Sequence, residues 1–578
     1  MFCNKTVEGL HHIKNLETFS FLINMNNEVK TKSQSTVVSD CRSITLFLDG
    51  MIYNNDRKQL ISGFVSNGVD HVKQIEGSFV IFLIEKSAFY ILTDKVNSRK
   101  AFYTFKDGTW YISNNIDNLP KHKCQLSIDG IACYLANGVM LNDLTLFHDI
   151  RSAKRASIHC FKNKSDSITK YWNYKFSYSS TTLKNEKEEG YQKELEQLLI
   201  NAIKRRYATV SDKACLALSA GYDSRGILGI LHNQLKVTNL LCFSYAQDDN
   251  LRKHSDAALS KKLADECGYD HKIIKSYRGD LIAFLKKNAV EGKCLTNFCD
   301  ELDGWHDLAE RNYCSDIFVG DECFGWLDVP LNTNAEILDS VLITGQSGIE
   351  WLGNFISEKV FNNFCHSLNK LTDDIIKKTS EISDPHDKKD FLYLDQRLNH
   401  VLMPWRENIA SQIGFVHNPY LDEGILNFMT KLPPHLRKNK SFFRKTITNL
   451  RPDLFSITQA TSSGVEPDWQ NELDKNGKLL IEFVLENDSR LDELISKEEI
   501  INMIQRQGSK MLKLRIFSLK ALNYLRKKSR MADKVLNIVF GPRVKPNGRT
   551  VFPETLLLRL LVIRIYLSPS SSKHGNSI

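Results

Sequence analysis

The sequence predicts a multidomain chain of mixed α/β and α+β class. A layered antiparallel β domain comes first, followed by a doubly wound, mostly parallel α/β domain with a helical C-terminal region. Three observations predict it. The chain has 578 residues, more than one hydrophobic core normally supports. From Ser43 to Ser113 short β-rich runs alternate with turns, as in layered sheets. Beyond residue 200 apolar runs of strand length alternate with helical periods, which implies a parallel sheet. We therefore expect a first domain over 1–175, a linker and first helix over 176–200, a second domain over 201–530 and a basic tail over 531–578.

In the first domain, Ile44–Leu48, Ser78–Ile84, Ala88–Leu92, Phe102–Phe105 and Thr109–Ser113 read as strands, and Asn55–Val65 as a helix with a polar start. Ser165–Leu195 changes character and reads as linker, then as a charged helix from Lys187 to Arg206. The N-terminus Met1–Lys5 lacks the basic-then-apolar pattern of a secretory signal, and no uncharged apolar run is long enough to span a bilayer. The expectation is a cytoplasmic protein. Its 13 cysteines are scattered without a CxxC pair, and Cys294 and Cys299 are too loosely framed for zinc, so they read as mostly reduced, buried thiols. A net charge of +9 is modest for this length, and no nucleic-acid partner is expected.

The second domain opens with the apolar run Ala214–Leu218, the small-residue turn Ser219-Ala220-Gly221, and Tyr222-Asp223-Ser224 at the head of a new apolar period. Strand, turn and helix N-terminus together suit phosphate, because unsatisfied main-chain N–H groups and the positive dipole end converge there. Gly221 is expected to supply a backbone conformation closed to other residues, and the Ala220 methyl group requires a negative φ at its position. No Gly-Lys-Ser/Thr follows, which excludes a Walker A loop. Taken alone, a β-turn with an Asp cap explains the stretch. Val237–Tyr245 is a second buried strand, and its end at Ser244 is expected to flank an adenine ring. A helix ending at Gly268 and the strand His271–Ile274 follow. Ser315–Val319 then runs into Gly320-Asp321-Glu322, which alone reads as a solvated turn. Lys440 and Arg444, four apart, share one face if both are helical; alone they are a solvated face.

These blocks, in this order, resemble the asparagine synthetase-like family, and the resemblance covers most of the chain. Ser219–Ser224 is similar to the SGGxDS signature of the PP-loop ATP pyrophosphatases, with Ala220 where Gly is usual. Ser315–Trp326 resembles the SGEGADELFGG block, with Phe318 in place of its Glu. Asn418–Pro433 resembles the PFLD…LP element, and Lys440 and Arg444 stand in the place of its K-x-x-x-R pair. Leu48–Asn54 and Glu76–Phe82 resemble LNGEIYN and DGxFAF of the class II, Ntn-type glutaminase domain. The resemblance implies ATP and magnesium (Mg2+). It implies nucleotide contacts from Ser219, Ala220, Gly221, Asp223, Ser224, Ser244 and Gly320, a metal held by Asp223 and Asp321, and catalysis by Lys440 and Arg444. In the glutaminase-like domain it points to Cys3, Asp49, Gly50 and Glu76. Cys3 lacks a free α-amine while Met1 and Phe2 precede it, and Asp49 brings negative charge where an oxyanion would form. A degenerate domain without glutamine hydrolysis is expected.

The family reading implies an ATP-dependent amide ligase working through an acyl adenylate, by default a glutamine-hydrolysing asparagine synthase. Its partners would be a small-molecule or peptide carboxylate and an amine or ammonia donor, and a homo-oligomer is compatible with the sequence. The alternatives are an adenylating ligase on another substrate, of the β-lactam synthetase, lasso-peptide cyclase or secondary-metabolite and surface-glycan type, and a non-catalytic nucleotide-binding scaffold. Leu512, Ile516, Leu519, Leu522 and Leu525 recur at helical spacing among Lys and Arg residues; this cationic amphipathic stretch is read as a closing helix rather than a membrane or nucleic-acid contact. Leu556–Leu567 repeats the theme around Arg559 and Arg564.

Overall fold

The computed structural model describes residues 13–16, 19–24, 36–37, 44–85, 88–178, 185–247, 253–325, 328–460, 467–507, 518, 521–522, 525–526, 530–540 and 548–569. Cys3 and most of the 509–528 stretch lie outside them.

The first lobe is built from two sheets. Ile44–Ile52, Gly77–Glu85, Ala88–Thr93 and Ser157–Lys162 form the antiparallel centre of a six-stranded sheet, with Thr36–Val37 and Ser165–Lys170 at its edges. The second sheet runs Ile13–Leu16, Phe19–Asn24, Thr109–Ser113, Phe102–Lys106, Arg151–Ser152. One pair in it, Phe19–Asn24 with Thr109–Ser113, is parallel, a departure from the antiparallel expectation. Alternating side chains make the layers, as the two-residue period of a strand requires. Phe82, Phe89 and Ile91 of the first sheet meet Tyr103, Trp110 and Ile112 of the second. On its other face Phe79, Ile81 and Leu83 pack against Leu60 and Phe64 of the helix Arg57–Asn67. That helix starts at Asp56, which accepts from the Gln59 N–H while the Gln59 side chain returns to the Asp56 N–H. Ser165–Lys170 replaces the expected start of a linker; it is an edge strand exposed along its whole length, so no apolar alternation marked it.

The helix Asn185–Tyr207 leads into the second lobe. Its five-stranded sheet is parallel throughout, in the order Asp270–Lys275, Leu240–Ala246, Ala214–Ala217, Asp316–Phe318, Phe415–His417. Winding proceeds outward from Ala214–Ala217 in both directions. The strand order therefore reverses between Ala214–Ala217 and Asp316–Phe318, and the crevice beyond their carboxyl ends is where such sheets take ligands.

One pair departs from the expectation of mostly reduced thiols: Cys215 of strand Ala214–Ala217 and Cys314, just ahead of strand Asp316–Phe318, form a disulfide across a 99-residue separation, while nine other described cysteines are free. The segment around Leu556–Leu567 is no peripheral tail. Helix Pro553–Tyr566 is buried over most of its surface, and its two arginines are tied down. Arg559 donates to the Leu135 and Ala136 carbonyls, both at 2.8 Å, and Arg564 pairs with Asp492 at 3.0 Å. Apolar residues all around a helix indicate a core position rather than a surface one.

The lobes are tied by buried polar contacts. Arg155 meets Asp395 at 2.9 Å, and the Lys100 N–H donates to Glu407 while its ammonium donates to the Asn399 carbonyl at 2.6 Å.

Candidate active site

The turn after Ala214–Ala217 carries Ser219 to Ser224 to the switch point. Gly221 caps helix Tyr222–Gly229 with φ −73° and ψ 170°, an extended conformation that any residue adopts, so the expected backbone exception is not found there. Ala220 avoids positive φ and is buried, which reconciles its methyl group with the turn. The glycine that close approach demands is Gly320: a Cβ there would lie 3.1 Å from the Asp223 Cβ and 3.2 Å from the Ser224 N. It sets the acidic turn directly against the phosphate-type turn.

The turn is pre-ordered by side-chain hydrogen bonds. The Ser219 N–H donates to Ser224 Oγ at 2.9 Å, the Ala220 N–H to Asp256 Oδ1 at 2.9 Å, and the Gly221 N–H to Ser219 Oγ at 3.3 Å. Ser244 Oγ donates to the Leu218 carbonyl at 2.7 Å and lies 2.9 Å from His271 Nε2. Ser244 therefore ties two strand ends together, with its hydroxyl already engaged. Burial drops the His271 imidazole to about 4, so it is neutral at pH 7.

Lys440 closes the site from the other side. It sits at φ 57° and ψ 29°, directly after Asn439 at φ 54°, so two successive residues with side chains occupy the left-handed region. Such strain persists only where surroundings impose it, and it clusters at functional sites. Gly325 imposes part of it: its carbonyl accepts from the Lys440 N–H at 2.9 Å, and its own φ of +82° leaves no room for a Cβ against the Arg437 carbonyl. The result is a buried ammonium 2.9 Å from Asp223 and 3.0 Å from Glu322. Burial opposes that charge, yet Glu322 and then Asp223 hold it above the usual lysine value. Burial raises the Asp223 carboxyl to about 6; Lys440 pulls it down and Glu322 pushes it up.

Lys440 and Arg444 do not share a helical face, contrary to what their four-residue spacing suggests. Lys440 precedes helix Ser441–Leu450 instead of joining it, whereas exposed Arg444 lies over the Tyr222 ring at 4.9 Å. Asp223 and Asp321 are also held by different partners. Arg406 grips both oxygens of Asp321, at 2.8 and 3.0 Å, and Asn418 donates to it at 2.7 Å. A magnesium ion shared by Asp223 and Asp321 does not fit this arrangement, because the Asp321 oxygens are committed to Arg406 and Asn418 and those of Asp223 to Lys440. Among the described residues no group of three or more His, Cys, Asp or Glu could hold a metal.

Four further residues shape the site. Glu322, beside Asp321 in the same block, is the second anchor of Lys440 and accepts from the Phe324 N–H at 2.5 Å. Arg406 and Asp256 belong to no recognisable block. Tyr420, within the Pro-Tyr-Leu-Asp stretch, donates to the Asp223 carbonyl at 2.8 Å.

The described glutaminase-like positions are engaged in structural contacts. Asp49 accepts from Asn114 at 2.8 Å. Gly50 has φ +121°, and a Cβ there would overlap the Ser78 carbonyl. Glu76 meets Arg205 at 2.5 Å; Arg205 also grips Asp422, as does Arg206 at 2.8 Å. Burial raises the Glu76 carboxyl.

The model of the asparagine synthase family matches residues 194–292, which span the phosphate-type turn. No curated protein matches the chain significantly. Among solved structures, glutamine phosphoribosylpyrophosphate amidotransferase from B. subtilis, complexed with ADP and GMP, is 9% identical over 42% of this chain and 48% of its own, with a TM-score of 0.18. The U34-tRNA thiolase NcsA from Methanococcus maripaludis, with its [4Fe-4S] cluster, is 12% identical over 37% of this chain and 80% of its own, with a TM-score of 0.21. The chain thus spans about half the length of the first of these, and at such TM-scores neither carries an argument. Residues 194–292, which carry the turn, are thus similar to the asparagine synthase family.

Proposed function

We propose that the protein is an ATP-dependent carbon–nitrogen ligase of the AMP-forming kind. A carboxylate oxygen attacks the α-phosphorus of ATP, pyrophosphate leaves, and an amine or ammonia displaces AMP from the acyl adenylate to form an amide. AMP is a far better leaving group than oxide, so two accessible barriers replace one that is not. The observation that carries the reading is Lys440, a buried ammonium in a strained backbone position against the turn after Ala214–Ala217.

The chain's own groups divide the work as follows. The first turn of helix Tyr222–Gly229 supplies main-chain donors to the polyphosphate. Lys440, carried on two carboxylates, can swing from Asp223 toward an incoming phosphate and oppose the charge that grows on it during attack. Asp223 and Glu322 keep that ammonium charged while the site is empty. Arg444, exposed beside Tyr222, stands at the mouth where a second anionic group would enter. We assign no step to magnesium.

Nitrogen would come from a free amine or ammonia, since Asp49 and Glu76 are engaged in structural pairs. The default family product, asparagine, is one candidate; other carboxylates remain open to the same chemistry. A nucleotide-binding scaffold is the second reading, favoured by the internal engagement of the Ser219, Ala220 and Gly221 N–H groups. Carboxylate-dependent exchange of labelled pyrophosphate into ATP decides between them. Exchange lost in Asp223→Asn and Lys440→Met supports the ligase; ATP binding without exchange across a broad carboxylate panel supports the scaffold.

A further inference from the structure

Helix Arg530–Phe540 presents an apolar row to solvent. Met531, Val535, Ile538 and Val539 recur at i, i+4, i+7 and i+8 and so share one face. That face points outward: the four side chains are 78%, 52%, 85% and 63% exposed. The opposite side, with Ala532, Asp533, Leu536 and Asn537, is half-buried, and the Oδ1 atoms of Asp533 and Asn537 are shielded from solvent. A surface helix normally turns its apolar row inward, and contiguous apolar exposure of this kind marks an interaction surface.

Charge identifies what covers it. Residues 509–549 contain twelve Lys and Arg and a single acidic residue, Asp533. That excess of eleven exceeds the +9 of the whole chain, so the remainder is slightly acidic and the positive charge is local to this helix and its flanks. A second copy would bring the same positive charge against itself. A nucleic acid would meet the charge but leave the apolar face in water. An anionic bilayer surface answers both, offering phosphate headgroups to the cations and an acyl boundary to the apolar row. Exposed Lys534 lies at the edge of that row. No described helix is long and apolar enough to cross a membrane, so contact would be with the surface.

We propose that helix Arg530–Phe540 docks the protein on an anionic lipid surface, with Met531, Val535, Ile538 and Val539 entering the headgroup boundary. The full chain, incubated with sucrose-loaded vesicles of phosphatidylcholine alone or mixed with phosphatidylglycerol, is sedimented at low and high salt. The expected result is binding to the mixed vesicles, weakened by salt, with little binding to phosphatidylcholine. Ile538→Asp with Val539→Asp should lower that binding about tenfold or more, and circular dichroism melting should be unchanged because both side chains face outward. Three results would overturn the proposal: equal binding to both vesicle types, binding unaffected by the double substitution, or a lipid-independent dimer or RNA complex that the same substitution abolishes.

Discussion

Replacing Lys440 with Met removes the ammonium and keeps most of the side-chain volume. Its Nζ bonds Asp223 at 2.9 Å and Glu322 at 3.0 Å, so the two carboxylates it bridges lie within about 6 Å of each other, a range in which like charges shift titration strongly. Without the cation, Asp223 should rise above its present value of about 6, and one of the pair should take up a proton near neutrality. Breaking a buried pair by removing one partner costs about 3–5 kcal/mol, partly offset here by that protonation; urea unfolding reads it directly. Catalysis should suffer separately. The loss of one preorganised charge contact costs roughly 3 kcal/mol in the transition state, about a hundredfold in rate. Because much of the opposed charge develops only during attack, ATP affinity should fall far less than the single-turnover rate of AMP release. Lys440→Arg restores the charge and should recover part of the stability. AMP release by Lys440→Met within twofold of wild type, at equal ATP affinity, would refute the assignment.

Other consequences follow from the same contacts. Gly320→Ala forces a methyl group to within 3.1–3.2 Å of Asp223 and Ser224, and overpacking of this kind costs about 1–3 kcal/mol; calorimetric ATP titration should show weaker binding. Ala220→Gly should lower thermal stability by roughly 0.4–1 kcal/mol without improving ATP affinity, since Ala220 has no positive φ to relieve. Asp395 is buried, and although burial works against its charge, Arg155, Lys378 and Lys170 hold its carboxyl far below the usual range. A depressed folded value stabilises the protein above the unfolded value of about 3.9 and ceases to do so as pH falls through the folded value. Asp395→Asn should therefore cost about 3–5 kcal/mol at pH 7, and the gap from wild type in denaturant midpoint should narrow below about pH 4.

Much of the fold is legible in the sequence because each lobe rests on short-range signals. Ile44–Ile52 and Gly77–Glu85 advertise themselves by β-branched and aromatic residues, and the Ala214–Ser224 block by an apolar run broken at small residues. Elements without such a signal are invisible. Ser165–Lys170 is an edge strand made by hydrogen bonds to its neighbour, and the Cys215–Cys314 pairing is a fact of strand adjacency. The site divides in the same way. Asp223, Gly320 and Lys440 are readable as members of ordered blocks. The charged partner of Asp321 is not, because Arg406 lies 85 residues away on a helical stretch that no motif marks. Lys440 itself misled: four-residue spacing to Arg444 suggests one helical face, but spacing says nothing about the left-handed turn that takes Lys440 out of the helix.

The most direct test is the fate of the ATP phosphates. Wild-type protein is incubated with α-labelled ATP, an amine or ammonium donor and a panel of carboxylates, and the labelled product is separated. The account predicts labelled AMP, with pyrophosphate released in equal amount, for at least one carboxylate, and loss of that AMP in Lys440→Met. Labelled ADP with inorganic phosphate, or AMP formed equally by the variant, would contradict it.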